Sequence, residues 1–283
     1  MSNARTVDGS LAGTTGARPG AVGFLTDTTL CIGCKACEVA CKQWNQLPMD
    51  NFGFTGHSYD NTGDLGATTW RHVAFIEQIN DDEGRRPTSM RAFQSNWLMM
   101  SDICKHCVHA GCMEACPTGA IIRSEFDTVV IQQDVCNGCG YCVPACPFGV
   151  PQLSATDHKA HKCTLCYDRL RDGLEPACAK ACPTDSIQFG PVEALMERAR
   201  GRVESLQADG IDGAHIYGDR AEGGTGGIEG LNAFFILTAP PEVYNLPAAP
   251  ELPQRKTIPA SLSTIGAAIA FGIATALSLR SRS

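Results

Sequence analysis

The sequence lacks an excess of basic charge. Its 23 Lys and Arg residues are outnumbered by 30 Asp and Glu residues, which gives a formal net charge of -7. Proteins that bind nucleic acids draw much of their affinity from basic side chains that neutralise phosphates. We therefore exclude nucleic acid as a partner of this protein.

The motifs of substrate chemistry are also missing. The sequence has no Gly-rich nucleotide loop and no evident pair of nucleophile and general base. Residues 1–27 have no apolar run behind a basic segment, so we see no secretory signal and expect no cleaved export signal. The absence of the nucleotide loop and of a nucleophile with its base predicts a protein that is not an enzyme by itself.

Cysteine, by contrast, is abundant and clustered. The 16 cysteines all lie within residues 29–191 and form four groups of four. Such clustering favours metal binding over a disulfide framework. In chain order, the first to fourth groups are Cys31, Cys34, Cys37 and Cys41; Cys104, Cys107, Cys112 and Cys116; Cys136, Cys139, Cys142 and Cys146; and Cys163, Cys166, Cys178 and Cys182.

The spacing within these groups predicts iron-sulfur clusters. The first and third groups have the C-x2-C-x2-C-x3-C spacing of bacterial ferredoxins, and the other two widen the middle gap. Three thiolates on a tight loop can reach three irons of one 4Fe-4S cluster, while the fourth cysteine serves a second cluster. We therefore predict four 4Fe-4S clusters, with a helix beginning near the third cysteine of each group.

Two details of the groups lead to local predictions. Pro117, Pro147 and Pro183 follow the last cysteine of three groups, whereas Lys42 follows that of the first. We therefore expect the turn after the first group to differ. His106 and His109 lie near the second group, but four cysteines are already present there, so we interpret both as local hydrogen-bonding residues.

Zinc is the strongest alternative to iron-sulfur clusters. Four groups of four cysteines would also satisfy four tetrahedral zinc ions, as in a zinc-stabilised scaffold without a redox role. Zinc sites, however, usually use separated C-x2-C pairs rather than triple runs that end in Cys-Pro. The pattern therefore favours 4Fe-4S clusters.

The sequence as a whole predicts an α+β fold with two pseudo-symmetric two-cluster ferredoxin-like modules. Strands are expected at Trp70–Ile79 and Ala233–Thr238, and a helix is expected at Val192–Leu206. The predicted organisation is an extended tail at 1–28, a four-cluster core at 29–191 with an insertion at 42–103, an extension with a Pro-rich linker at 192–256, and a transmembrane helix at 257–279.

The C-terminal segment predicts a membrane anchor because Thr257–Leu279 contains no charged residue. At about 1.5 Å per residue it spans roughly 35 Å, enough to cross a bilayer core. A buried helix of a soluble protein is the alternative. Arg255 and Lys256 precede the segment while Arg280 and Arg282 follow it, so the positive-inside rule gives no orientation.

From about Thr29 to Phe189, the sequence resembles the four-cluster iron-sulfur subunits of molybdenum or tungsten bis-pterin oxidoreductases. Within that family, Cys31–Leu47 (CIGCKACEVACKQWNQL) and Ser101–Cys116 look most like the iron-sulfur subunit of membrane-bound formate dehydrogenase. The Pro-rich exit to a C-terminal apolar helix adds to the likeness.

The resemblance implies a nested pairing of the groups, whereas the spacing alone leaves neighbour pairing open. All sixteen cysteines are present, so no 3Fe-4S cluster is expected. We name each site after the group that supplies three of its ligands. The implied sets are Cys31, Cys34, Cys37 and Cys182 (first site); Cys104, Cys107, Cys112 and Cys146 (second site); Cys136, Cys139, Cys142 and Cys116 (third site); and Cys163, Cys166, Cys178 and Cys41 (fourth site).

The resemblance also implies a function and partners. A separate Mo/W bis-pterin subunit would oxidise formate, and this protein would relay electrons to a membrane cytochrome b or quinone-reducing partner. The C-terminal helix would contact lipid of the cytoplasmic membrane, with the globular part outside the cytoplasm. The alternatives are a partner that acts on dimethyl sulfoxide, polysulfide or thiosulfate, or nitrate, or a hydrogenase.

Overall fold

A computed structural model describes residues 20–50, 53–56, 59–78, 96–219 and 228–280. The predicted tail at 1–19, the middle of the insertion and Arg282 lie outside these ranges. The fold mixes helices and strands, as expected. The elements are β1 (Val22–Asp27), α1 (Ala36–Trp44), β2 (Arg71–Gln78), β3 (Asn96–Ile103), α2 (Gly111–Glu114), β4 (Ile121–Arg123), β5 (Val129–Ile131), β6 (Gln152–Leu153), β7 (Ala160–His161), α3 (Tyr167–Arg171), α4 (Ala177–Lys180), β8 (Ile187–Pro191), α5 (Val192–Ala208), β9 (His215–Tyr217), β10 (Ala233–Leu237) and α6 (Thr257–Arg280).

Strand β1 lies inside a four-stranded sheet with the order β8-β1-β10-β9. It is antiparallel to β8 and parallel to β10, so Leu25 lies between Gln188 and Phe234. All six of its residues are buried. The prediction of an extended tail at 1–28 is therefore wrong for this strand. The short run VGFLTD begins with four apolar residues, and strands from distant parts of the sequence cover both of its edges.

The segment after β8 forms part of the folded body. Helix α5 confirms the helix predicted from Val192, and it buries Val192, Leu195 and Ala199 against the main hydrophobic core. Strand β10 confirms the predicted strand, and all five of its residues are buried. The hydrophobic effect holds both elements against β1 and β8 rather than leaving them as an extension.

The proline-rich stretch also lies on this body, so its prediction as a spacer is wrong. Two short 3-10 helices, Pro241–Tyr244 and Pro253–Lys256, turn the backbone back over the core. Tyr244 and Leu252 are buried, and Gln254 Nε2 donates a hydrogen bond to the Gly111 carbonyl oxygen at 2.8 Å. Proline fixes φ but does not prevent turns, so proline density alone did not distinguish a spacer from a folded strap.

The predicted insertion contains a long hairpin. Strands β2 and β3 pair antiparallel from Arg71↔Ile103 to Gln78↔Asn96, which confirms the strand expected near Trp70. Val73 and Met100 are buried in the main core. The hairpin thereby brings the start of β2 and the end of β3 into contact with the cysteine-rich part of the protein.

Helices near the third cysteine are confirmed in three of the four groups. Helix α1 contains Cys37 and Cys41, α2 contains Cys112, and α4 contains Cys178. The third group has a run of turns there instead. As expected from Lys42, the first group differs, since α1 continues beyond Cys41 to Trp44.

The C-terminal segment forms the helix α6 over Thr257–Arg280. Its side chains from 261 to 275 are exposed, including Ile265, Ile269 and Phe271. Within the ranges given above, no helix is both long and apolar enough to cross a membrane, so the transmembrane helix expected at 257–279 is not found there.

Candidate metal centres

A small cavity lies between α1, the β2–β3 hairpin and the turn before β8. Ser101 and Val73 of the hairpin close one side of it. Gly33 helps to form the loop before α1, because it has a φ of +64 and a Cβ there would come within 2.6 Å of the Phe75 ring. The cavity brings together four thiols from two distant groups, Cys31, Cys34, Cys37 and Cys182.

A second cavity lies beside α2 and β5. It also joins thiols from two groups, in this case Cys104, Cys107, Cys112 and Cys146. Lys105, His106 and Lys162 line the same space. The Val129 N–H donates a hydrogen bond to His106 Nδ1 at 3.1 Å. Nδ1 therefore carries no proton, and the neutral ring has its proton on Nε2. His106 is thus a hydrogen-bonding residue, as expected.

Among the remaining eight cysteines, the charge on one thiol affects the pKa of another. Burial raises the pKa of Cys41, and negative charge on Cys178 and Cys166 raises it further. Burial likewise raises the pKa of Cys142 to about 11, with contributions from Cys136, Cys139 and Cys116. The packing agrees with these interactions, since α1 with Cys41 packs against α4 with Cys178, and Cys116 and Cys136 pack against the buried cluster that contains Cys142.

Contacts also extend from one set of thiols to the next. Burial raises the pKa of Cys163 well above its usual value, and charges on Cys41 and Cys104 add to the effect. Burial raises the pKa of Cys112 to about 12, and its neighbours include Cys104, Cys146 and Cys142. The geometry agrees, because Lys162, directly before Cys163, lines the second cavity, and Cys112 of that cavity lies in the same buried cluster as Cys142.

Buried cations accompany these thiols. Arg71 and Lys162 are 1% and 3% exposed, respectively. Arg71 Nη2 donates to Cys178 Sγ at 3.2 Å, and Lys162 Nζ donates to the Cys163 carbonyl oxygen at 3.1 Å. Burial of a charge is unfavourable unless opposite charge lies nearby, so both cations require an anionic environment.

Neither cation was found by sequence reasoning. Arg71 is a basic residue within the β-forming run WRHVAFIEQI, and Lys162 directly precedes Cys163. A charged residue in a strand expected to be half-buried is a signal that could have found Arg71, because such a residue needs a partner. Position next to a cysteine was the corresponding signal for Lys162.

The residues present fit iron-sulfur clusters. Four thiols line each cavity, buried cations offset negative charge, and the Leu165 N–H donates to Cys163 Sγ at 3.2 Å. Cluster formation would deprotonate thiols such as Cys37, whose pKa burial raises to about 11. Among the residues that the structure describes, no group of three or more His, Cys, Asp or Glu side chains forms a site for a single metal ion.

Comparison with protein families agrees with this donor set. A model described as "4Fe-4S dicluster domain" matches residues 95–192, and one described as "4Fe-4S binding domain" matches residues 28–45. The match at 28–45 covers the first cysteine group, and the match at 95–192 covers the other three groups. Two iron-sulfur domains with sixteen cysteines indicate several 4Fe-4S clusters in this protein.

Individual proteins are similar over most of the sequence. The nitrate-inducible formate dehydrogenase iron-sulfur subunit of Escherichia coli (strain K12) is 40% identical over 235 residues, which are 82% of this protein and 74% of the relative. The Haemophilus influenzae formate dehydrogenase iron-sulfur subunit is 38% identical over 88% of this protein and 75% of its own length. The B subunit of the E. coli anaerobic dimethyl sulfoxide reductase is 34% identical over 62% of this protein and 76% of the relative. The identity, the length of the match and the grouped thiols agree, and this protein belongs to the family of formate dehydrogenase iron-sulfur subunits.

Proposed function

We propose that this protein is the electron-transfer subunit of a formate dehydrogenase and carries four 4Fe-4S clusters on its sixteen cysteines. The main support is that each of two cavities is lined by four thiols, three from one group and one from a distant group. The names of the relatives supply formate as the substrate of the complex. The reaction on formate itself takes place in a separate catalytic subunit.

The proposed ligand sets are those of the nested pairing. The first site takes Cys182 and the second takes Cys146, in agreement with the linings of the two cavities. The third site takes Cys116 and the fourth takes Cys41, which is supported by the neighbours that raise the pKa values of Cys142 and Cys41. Neighbour pairing would instead join Cys31 with a cysteine of the second group.

The contacts between sets support one order of the sites through the molecule. Cys37 and Cys41 on α1 connect the first site to the fourth. Lys162 lines the second cavity directly before Cys163 and so connects the fourth site to the second, and Cys112 and Cys142 lie in one buried cluster that connects the second site to the third. The order is therefore first, fourth, second, third. Cys34 and Cys139 are exposed, and they belong to the two ends of this series.

The protein's own residues bind the clusters and keep water from the inner sites. When bound, each cluster supplies a centre that accepts one electron and passes one on. Cys163, Cys166 and Cys178 of the fourth site are all buried, whereas the end sites each have an exposed thiol. Electrons can therefore enter and leave at the surface, while the interior route is shielded from solvent.

Membrane attachment through α6 is a further part of the proposal. The exposed apolar side chains of α6, such as Leu262, Ile265 and Phe271, suit contact with lipid. A cytochrome b or quinone-reducing subunit in the cytoplasmic membrane would receive the electrons, with the globular part outside the cytoplasm. Removal of residues 257–283 should release the protein from isolated membranes, and retention of the truncated protein there would exclude α6 as the attachment.

The substrate is tested on the intact complex. We expect formate to reduce the clusters of this subunit, as monitored by electron paramagnetic resonance, and dimethyl sulfoxide to leave the formate-reduced clusters unchanged. The second candidate, a dimethyl sulfoxide reductase subunit, rests on the shorter match to the B subunit of that enzyme. Reoxidation of dithionite-reduced clusters by dimethyl sulfoxide, without any reduction by formate, would favour it.

Metal analysis separates both candidates from a zinc scaffold. We expect iron and acid-labile sulfide in equal amounts, about sixteen of each per polypeptide, because each of four clusters holds four irons and four sulfides. A colourless protein with stoichiometric zinc would exclude electron transfer by this subunit.

A further inference from the structure

The guanidinium of Arg71 lies between the first and fourth sites. Arg71 begins strand β2 and is 1% exposed. Its Nη2 donates to Cys178 Sγ at 3.2 Å, and its Nη1 donates to the Ser101 carbonyl oxygen at 3.1 Å. The guanidinium carbon stacks over the Phe24 ring, 4.9 Å from its centre. These contacts on three sides hold the cation in one place.

Arg71 reaches the first site through Ser101. The Ser101 hydroxyl lies 3.2 Å from Cys37 Sγ, and both residues line the first cavity. A short polar path therefore runs from Cys37 through Ser101 and Arg71 to Cys178. Its two ends belong to different sites, so one side chain serves both.

The described contacts do not balance the positive charge of Arg71. Among the described residues, it forms no ion pair with a carboxylate, and its buried Nε has no hydrogen-bond partner. An unsatisfied buried donor costs about 1–3 kcal/mol, and more on a charged group. Burial alone would lower the pKa of Arg71, but negative charge on Cys178 and Cys37 raises it above its usual value. The chemistry that completes this environment is sulfur carrying negative charge on both sides.

We propose that Arg71 is a positioning residue that sets the reduction potentials of the first and fourth sites together. The inference rests on the proposed electron-transfer function. Each site gains one electron on reduction and becomes more negative by one charge, while Arg71 neither gains nor loses a proton. A fixed cation stabilises the more negative state, so it raises both potentials.

The test is a redox titration of the purified intact complex with Arg71→Met, followed by electron paramagnetic resonance. We expect the potentials of two clusters to fall, so that the oxidised-to-reduced ratio of each, at a fixed potential, rises about tenfold or more. A tenfold change corresponds to about 59 mV for a one-electron couple. The two other clusters should keep their potentials.

Three further variants sharpen the test. Arg71→Lys keeps the charge and should recover most of both shifts, and Ser101→Ala should lower the potential of the first site alone. Arg198→Met is the matched control, because Arg198 is a surface arginine on α5 that contacts Gln188. If Arg71→Met loses iron, Arg71→Gln, which keeps amide donors without the charge, is titrated in its place.

The outcomes distinguish this inference from the proposed function. A wild-type complex without iron and labile sulfide would overturn the proposed function. A fully loaded Arg71→Met or Arg71→Gln complex with all potentials unchanged would overturn the role of Arg71 alone. A shift of only one cluster, or of all four equally, would also overturn it.

Discussion

Two regions of the molecule hold their cysteines in different ways. The sheet region consists of β8, β1, β10 and β9 with the first and fourth cysteine groups, and the hairpin region consists of residues 104–162 with the second and third groups. In the sheet region, β1 and β10 are paired although Phe24 and Ala233 are far apart in sequence. In the hairpin region, β4 pairs with β5 and β6 with β7, each within a short stretch of sequence.

The hydrophobic cores of the two regions also differ, in their size. The main core contains β1, β10, α5 and the β2–β3 hairpin. A second, small cluster in the hairpin region includes Ile121, Val129 and Ile131 together with Cys112 and Cys142. A small core provides little stability by itself, so bound metal is expected to contribute a larger share there. The main core also takes in Cys104 and Val150 of the hairpin region, but we expect packing to stabilise mainly the sheet region and bound clusters to stabilise mainly the hairpin region.

The largest expected effect comes from the removal of one cysteine in each region. Cys142→Ser should lose the third cluster and interrupt electron flow through the series, and Cys37→Ser should lose the first cluster and interrupt the flow at the opposite end. Iron content and electron paramagnetic resonance after formate addition measure both. Full electron flow in Cys142→Ser would contradict its place as a ligand.

The same pair of variants compares local stability. We expect hydrogen exchange of β4 and β5 to accelerate strongly in Cys142→Ser, whereas β1 and β10 should remain protected in Cys37→Ser. The reason is that Ile121 and Val129 have few other apolar partners. Equal acceleration of hydrogen exchange in both regions would contradict the expected difference in stability.

Truncation of a core side chain tests the sheet region directly. Phe234 on β10 is 0% exposed, and Phe234→Ala should cost about 3–5 kcal/mol of unfolding free energy. Iron binding at the second and third sites should persist, because those sites lie in the other region. Chemical denaturation monitored by circular dichroism, with iron analysis, measures both results. Loss of iron from the second and third sites at the same denaturant concentration would show that the regions unfold as one.

Lys162 in the hairpin region can be compared with Arg71. Its Nζ donates to the carbonyl oxygens of Val129 and Cys163 rather than to a thiol. Lys162→Met should therefore lower the potential of the second site by less than Arg71→Met lowers that of the fourth. Redox titration measures the difference, and a larger shift for Lys162→Met would reverse this ranking.

The smallest effect is expected at the surface. Arg200 on α5 forms an ion pair with Asp219 at 3.0 Å, and its side chain is 51% exposed. Exposed ion pairs contribute about 0–1 kcal/mol. Arg200→Ala should therefore change neither the iron content nor the unfolding midpoint appreciably, and it serves as a stability control for Phe234→Ala.

The cysteine pattern predicted most of the candidate sites because cluster ligation depends on residue type and short-range spacing. The helices near Cys37, Cys112 and Cys178 follow from the same local pattern. The parallel pairing of β1 with β10 was not predictable, because no local signal specifies which distant strand covers an edge. The partner of Arg71 was not predictable for the same reason, since Cys178 lies 107 residues away.

The pairing of β1 with β10 has a consequence for assembly during synthesis. Residues 104–162 contain all eight cysteines that we propose for the second and third sites, so we expect these sites to be able to receive iron while the ribosome is still translating the remainder of the protein. In the proposed ligand sets the first site needs Cys182 and the fourth needs Cys178, and the sheet that supports both is completed only when Ala233–Leu237 has emerged. From these positions we expect staged maturation, in which the middle of the sequence is loaded with iron before the cysteines that were synthesised first.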